Sequence, residues 1–215
     1  MIDILTNNEN LQVIKYNGQL MCSLRDPIKA AGTWLAHFEQ SYHDNIAEYD
    51  LIFVVGLGSG YELKQFVTKY KNIRVIVVDT SPILFDRIKK IHPILDEKIE
   101  FMCVSSMNEF FNNQLIAENI SKLYAVAKIN FSLRPEKYLF SEIYKAFTVR
   151  TSQSFSKYIA RYEKLEKLIS KTKLNNSLKE NELISVLNLN ESLDEQNLRG
   201  QYSIELLKVL KELVV

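Results

Sequence analysis

An unbroken apolar run, Leu51-Ile-Phe-Val-Val55, stops at three glycines spaced two apart and gives way to an amphipathic segment. The pattern predicts a buried strand, a tight loop and a helix. Ile73-Arg-Val-Ile-Val-Val-Asp79 follows as a second buried run that ends in an acid, so the unit reads as a βαβ nucleotide-binding fold. Gly56, Gly58 and Gly60 carry no Cβ and can take positive φ, which lets the backbone approach a ligand near the positive end of a helix starting about Tyr61. Asp79, at the tip of the second strand, is placed to accept hydrogen bonds from ribose hydroxyls. Tyr61 stands where the full dinucleotide fingerprint has its third glycine, and Val54 stands where methyltransferases usually carry an acid. The alternative to ligand binding is a tight turn kept for packing. On the ligand reading, Gly58→Val removes binding and leaves the fold largely intact.

The rest of the chain builds around this unit. Asn17-Gly18, between two alternating runs over residues 11–22, suits a type I′ turn and predicts a β-hairpin. Asp26-Pro27 opens a helix by capping, and Ile28, Ala31, Leu35, Phe38 and Tyr42 give it one apolar stripe with Trp34 near its edge. Leu63, Phe66, Val67 and Tyr70 form the inner face of the crossover helix. Ser81-Pro82 starts the next helix, which packs through Leu84, Ile88 and Ile91 and ends in His92, a favourable cation at a helix C-terminus. Ile99-Glu-Phe-Met-Cys-Val104 and Tyr124-Ala-Val-Ala-Lys-Ile129 are the third and fourth strands, with a capping box at Ser106-Met-Asn-Glu109 between them. Right-handed crossovers and reversal beside the first strand give sheet order 3-2-1-4.

After Pro135 the strand signals stop. Residues 135–171 read as one long or broken helix with Tyr138, Phe147, Phe155 and Tyr162 among its large apolar residues, and two short helical patterns follow at about 182–188 and 202–213. The expected fold is therefore α/β: a Rossmann-like parallel sheet flanked by helices over 1–150, with an N-terminal hairpin, and a helical extension over 151–215. The extension's apolar stripe, with Leu206, Leu210 and Leu213, has to pack on this domain or on another copy.

A net charge of +1 over 215 residues argues against a protein built to bind nucleic acid or an anionic membrane. No apolar run approaches the ~20 residues of a membrane span, and no signal peptide opens the chain, so a cytoplasmic protein is expected. Cys22 and Cys103 are isolated within predicted strands and read as buried reduced thiols. His37, His43 and His92 lack metal-ligand spacing, and no nucleophile elbow or Walker loop is present, so neither a metal nor a catalytic residue is assigned. If the chain is an enzyme, it is a transferase. S-adenosylmethionine and a nucleotide-sugar are the candidate ligands, the first as the methyl donor of a small methyltransferase.

Three separated stretches share a resemblance. Asn17-Gly-Gln-Leu-Met-Cys-Ser-Leu-Arg-Asp-Pro-Ile-Lys-Ala-Ala-Gly-Thr-Trp34 resembles the hairpin and Ser-x-x-Asp-Pro-x-x-Glu-Ala stretch that opens the motility-associated factor (Maf) glycosyltransferases. Val55-Gly-Leu-Gly-Ser-Gly-Tyr61 is similar to their Gly-Leu-Gly-x-Gly-Tyr loop, and Arg134-Pro-Glu-Lys-Tyr138 sits where they carry a proline–tyrosine stretch leading into a helix. Ala30 departs from the family's glutamate, and Asp79 stands where glutamate is common. The resemblance covers about residues 11–150 and implies the Rossmann-like N-terminal domain of proteins that attach nonulosonic sugars to flagellin. It implies a ligand pocket at Gly56, Gly58, Gly60, Tyr61 and Asp79. The family's sugar-transfer domain follows this region, so no transfer residue carries over, and a nucleotide-binding or accessory module acting without that domain is expected. Its implied partner is a protein of flagellin or surface glycosylation, with a homo-oligomer as a further possibility.

Overall fold

The computed structural model describes residues 1–43, 45–120, 122–129 and 134–148. The expected helical extension over 151–215 and its apolar stripe lie outside them. By compactness the chain divides into one unit of Met1–Ser106 with Leu123–Ser141 and another of Met107–Lys122 with Glu142–Val215.

The first unit holds two sheets. β1 (Ile2–Thr6), β2 (Gln12–Tyr16) and β3 (Gln19–Leu20) form an antiparallel sheet in that order. Asn17 and Gly18 take φ of 47° and 84° between β2 and β3, the two positive angles that a type I′ turn requires. β1 extends the expected hairpin to a third strand, pairing Ile4 with Ile14. The second sheet is parallel: β4 (Leu51–Val55), β5 (Arg74–Asp79), β6 (Ile99–Cys103) and β7 (Tyr124–Lys128) lie in order β6-β5-β4-β7, the expected 3-2-1-4. All five residues of β4 are buried, as the uninterrupted apolar run requires of a strand covered on both faces. Register sets Ile52, Val75 and Ala125 in one row and Val54, Val77 and Ala127 in the next, and all six enter one core cluster.

Helix α1 (Pro27–Ser41) starts as its sequence dictates. Asp26 accepts a 2.8 Å hydrogen bond from the Lys29 N–H, and Pro27 fills the first turn. Its buried stripe is Pro27, Ala31, Leu35 and Phe38, whereas Ile28 is exposed. Proline at the first helical position takes the inward place, and Ile28, about 100° further round, turns to solvent. α2 (Tyr61–Lys69) packs on α1 through Phe38 and Phe66, 6.0 Å between ring centroids, and through Gln65, whose amide donates to the Ile28 carbonyl at 2.7 Å. α3 (Pro82–Ile91), capped by Ser81, buries Leu84, Phe85 and Ile88, and α4 (Ile94–Lys98) buries Leu95.

In the second unit α5 (Met107–Phe111) and α6 (Gln114–Asn119) are short, and Phe110 meets Phe147 edge-on at 5.1 Å. α7 (Lys137–Thr148) begins in the first unit and runs into the second. Tyr138, one of the large apolar residues of this stretch, is exposed, because the helical period puts Phe140, Ile143 and Phe147 on the buried stripe and Tyr138 off it. Among the described residues no helix is long and apolar enough to cross a membrane.

Candidate functional site

The glycine loop is built as a cradle, and its own chain fills it. Gly56, Gly58 and Gly60 all take positive φ, 89°, 58° and 86°. The Gly56 N–H extends the ladder to the Val78 carbonyl at 2.9 Å, and the next N–H, of Leu57, donates to Asp79 Oδ2 at 3.1 Å. A Cβ on Gly58 would stand 2.5 Å from Ile129 Cγ2, and one on Gly60 would stand 2.6 Å from Ile88 Cγ2 and 2.8 Å from His92 Cδ2. The close approach that these two glycines permit is therefore to the protein's own side chains. It also follows that Gly58→Val would strain the fold as well as any ligand site, since that side chain would be driven into Ile129.

The N-terminal sheet lies against the same loop. Ile14 N–H donates to Ser59 Oγ at 3.2 Å, Tyr61 Oη donates to the Gln12 carbonyl at 2.9 Å, and Ile14 and Met21 join the core. Ser59 and Leu57 are wholly buried, and Tyr61 is 5% exposed. Two surface depressions of about 360 and 410 Å³, one at Lys89 and Asp96 and one at Lys15 and Leu20, touch neither the loop nor Asp79.

Asp79 is wholly buried and heavily engaged. Its Oδ1 accepts from the N–H groups of Thr80 and Ser81 at 2.8 and 3.0 Å and from Arg134 Nη2 at 3.1 Å, while Oδ2 accepts from Leu57 and from Arg134 Nη1 at 3.1 Å. Those five donors saturate a carboxylate, so a ribose hydroxyl would have to displace one of them. Burial pushes the Asp79 carboxyl up from its ordinary range, with the Arg134 charge pulling the other way. Arg134 also reaches Thr80 Oγ1 and Glu136 Oε2 at 3.2 Å, and its guanidinium stacks on Tyr16 at 4.1 Å from the ring centroid. In sequence, Arg134 marks only the approach to a helix; no local pattern announces it as the partner of Asp79.

Two further buried groups adjoin the loop. Glu62, 2% exposed, lies 3.2 Å by Oε2 from where a Gly58 Cβ would stand, and desolvation raises its carboxyl to about 7 against the weaker pull of its own backbone N–H. Its place was legible, since it sits four residues before Phe66 on the buried face of α2. His92 is not the solvent-facing cation that its place at the end of α3 suggests. It is 3% exposed, packs edge-on against Tyr61 at 4.5 Å and lies with Nε2 3.2 Å from the Ser59 carbonyl, and burial first, then Lys64, lowers its pKa to about 4. A neutral ring donating from Nε2 satisfies that geometry.

The cysteines also differ from expectation. Neither forms a disulfide, but Cys103 is exposed at the end of β6, an edge strand among the described residues, and Cys22 follows β3 in partial burial. Burial pushes the Cys22 thiol up to about 11 despite a hydrogen bond with Ser59, which makes it a poor nucleophile. Among the described residues no three His, Cys, Asp or Glu side chains converge as a metal site. The loop glycines, Tyr61 and Asp79 thus meet at the C-terminal ends of β4 and β5, in an assembly closed by Arg134 and the hairpin. No family model and no curated protein matches the chain.

Proposed function

We propose that this chain is a Maf-type N-terminal domain serving flagellin or surface glycosylation as an accessory module, acting through a protein partner rather than through cofactor chemistry of its own. The observation that supports an accessory role is the Asp79–Arg134 pair, 0% and 2% exposed, which occupies the strand-end carboxylate that a nucleotide or S-adenosylmethionine would engage. The setting rests on the Maf resemblance of the hairpin, the glycine loop and the Arg134-Pro135 stretch. Two measurements test the reading. Thermal-shift titration of the purified chain with S-adenosylmethionine and CMP-sugars is expected to leave its melting temperature unchanged; a saturable rise would restore the methyltransferase or nucleotide-binding reading. Deleting the gene is expected to reduce glycan occupancy on flagellin or another surface protein, read by intact mass, and unaltered occupancy would remove the chain from that process.

A further inference from the structure

The Arg134 guanidinium sits where a bound ribose would be read. Its Nη1 and Nη2, each 3.1 Å from a different oxygen of Asp79, make a two-pronged contact like that of vicinal ribose hydroxyls with a strand-end carboxylate. Rings flank it: its central carbon lies 4.1 Å from the Tyr16 centroid and 5.2 Å from that of Phe140, surfaces on which a base could stack. The hairpin, the tip of β5 and the first turn of α7 therefore meet on one side chain. An alternative partner is already in place, since Glu136 holds Nε at 3.2 Å and its own side chain is 28% exposed, leading outward from the buried pair.

We propose that Arg134 is an internal substitute for a nucleoside, an autoinhibitory plug that keeps a ribose site at Asp79 closed, and that a nucleoside with a free 2′,3′-diol takes that carboxylate only once the guanidinium has left it. Opening requires the guanidinium to leave Asp79 for Glu136 and solvent, after which the diol donates to the freed oxygens. The inference does not depend on the glycosylation setting, because it is read on the purified chain. Its failure would leave the glycan-occupancy result untouched.

The test compares the wild-type chain with Arg134→Ala and Arg134→Gln, each titrated calorimetrically with adenosine, with cytidine and with the 2′,3′-dideoxy form of each. Removing the plug should tighten binding of at least one diol-bearing nucleoside by about tenfold or more, the worth of a charged hydrogen bond, without tightening its dideoxy form. Adding Asp79→Asn to the alanine variant should abolish the gain. Equal affinities in wild type and variants, or equal gains for diol and dideoxy ligands, would overturn the proposal. The glutamine variant, which retains volume and an amide donor, decides the matter where the alanine variant fails to fold, as checked by circular dichroism. A folded glutamine variant with no gain refutes it too.

Discussion

Replacing Glu62 with glutamine should stabilise the protein above neutral pH and change little near pH 4.5. The carboxyl sits in the first turn of α2 with 2% exposure, beside the glycine loop and Cys22, and burial raises its pKa from 4.5 to about 7. An acid whose folded pKa is raised holds its proton longer in the native state, so the folded protein binds more protons than the unfolded chain between those values. Its contribution to stability therefore falls as pH climbs through 4.5 to 7, and the loss is complete above that window. At 1.36 kcal/mol per pK unit the cost reaches roughly 3 kcal/mol. Against this, an ionised acid in a helix's first turn gains about 0.3–1 kcal/mol from the dipole, too little to reverse the sign. Glutamine keeps the shape without the charge, so Glu62→Gln should gain about 2 kcal/mol at pH 8. His92, whose pKa is lowered to about 4, works in the opposite sense, losing stability as pH falls below 6.5, but it is common to both proteins and cancels in their difference. Urea unfolding of both at pH 4.5, 6 and 8 measures that difference. A difference that does not vary with pH would show that Glu62 is not titrating in this window.

Gly58→Ala should cost about 2–4 kcal/mol in urea unfolding with no ligand present, from its φ of 58° and the 2.5 Å approach to Ile129; a cost under about 0.5 kcal/mol would mean that the loop relaxes freely. Asp26→Ala should cost about 1 kcal/mol through loss of the cap on the Lys29 N–H, and unchanged stability would leave Pro27 as the sufficient start signal of α1.

The sheet order and hairpin were readable because both follow from local rules. Alternation and Asn17-Gly18 specify the turn, and right-handed crossovers leave few places for four parallel strands. The glycine loop was readable as geometry but not as chemistry. Positive φ and missing Cβ atoms serve a phosphate or a neighbouring isoleucine equally well, and at Gly58 and Gly60 the neighbours are Ile129, Ile88 and His92. Arg134 lies 55 residues from Asp79, and charge pairs at that range leave no periodic trace. His92 was misread for a related reason: its place at the end of α3 is visible in the chain, whereas the Ser59 carbonyl that receives its ring is brought there by the loop.

The closed character of the assembly extends to the sheet itself. Among the described residues β7 is the edge strand beyond β4, and the backbone groups of Val126 face away from that neighbour, where another strand could pair. They are taken instead by one hydroxyl at the end of α1: Tyr42 Oη accepts from the Val126 N–H at 2.8 Å and donates to its carbonyl at 3.0 Å. One step along, Trp34 Nε1 donates to the Lys128 carbonyl at 2.9 Å. A further strand could pair here only by expelling both side chains, so α1 works as a terminator of the β7 edge as well as a layer of the core. Tyr42→Phe tests this cleanly, because the ring keeps its contacts with Phe38 and Tyr49 at 5.0 and 5.3 Å and only the hydroxyl goes. Val126 is 5% exposed, so leaving its N–H and C=O without that partner should cost about 1–3 kcal/mol. The variant's Val126 amide should exchange with deuterium faster than that of Ala127, which faces β4. Unchanged exchange at Val126 would show that the edge is held by something other than Tyr42.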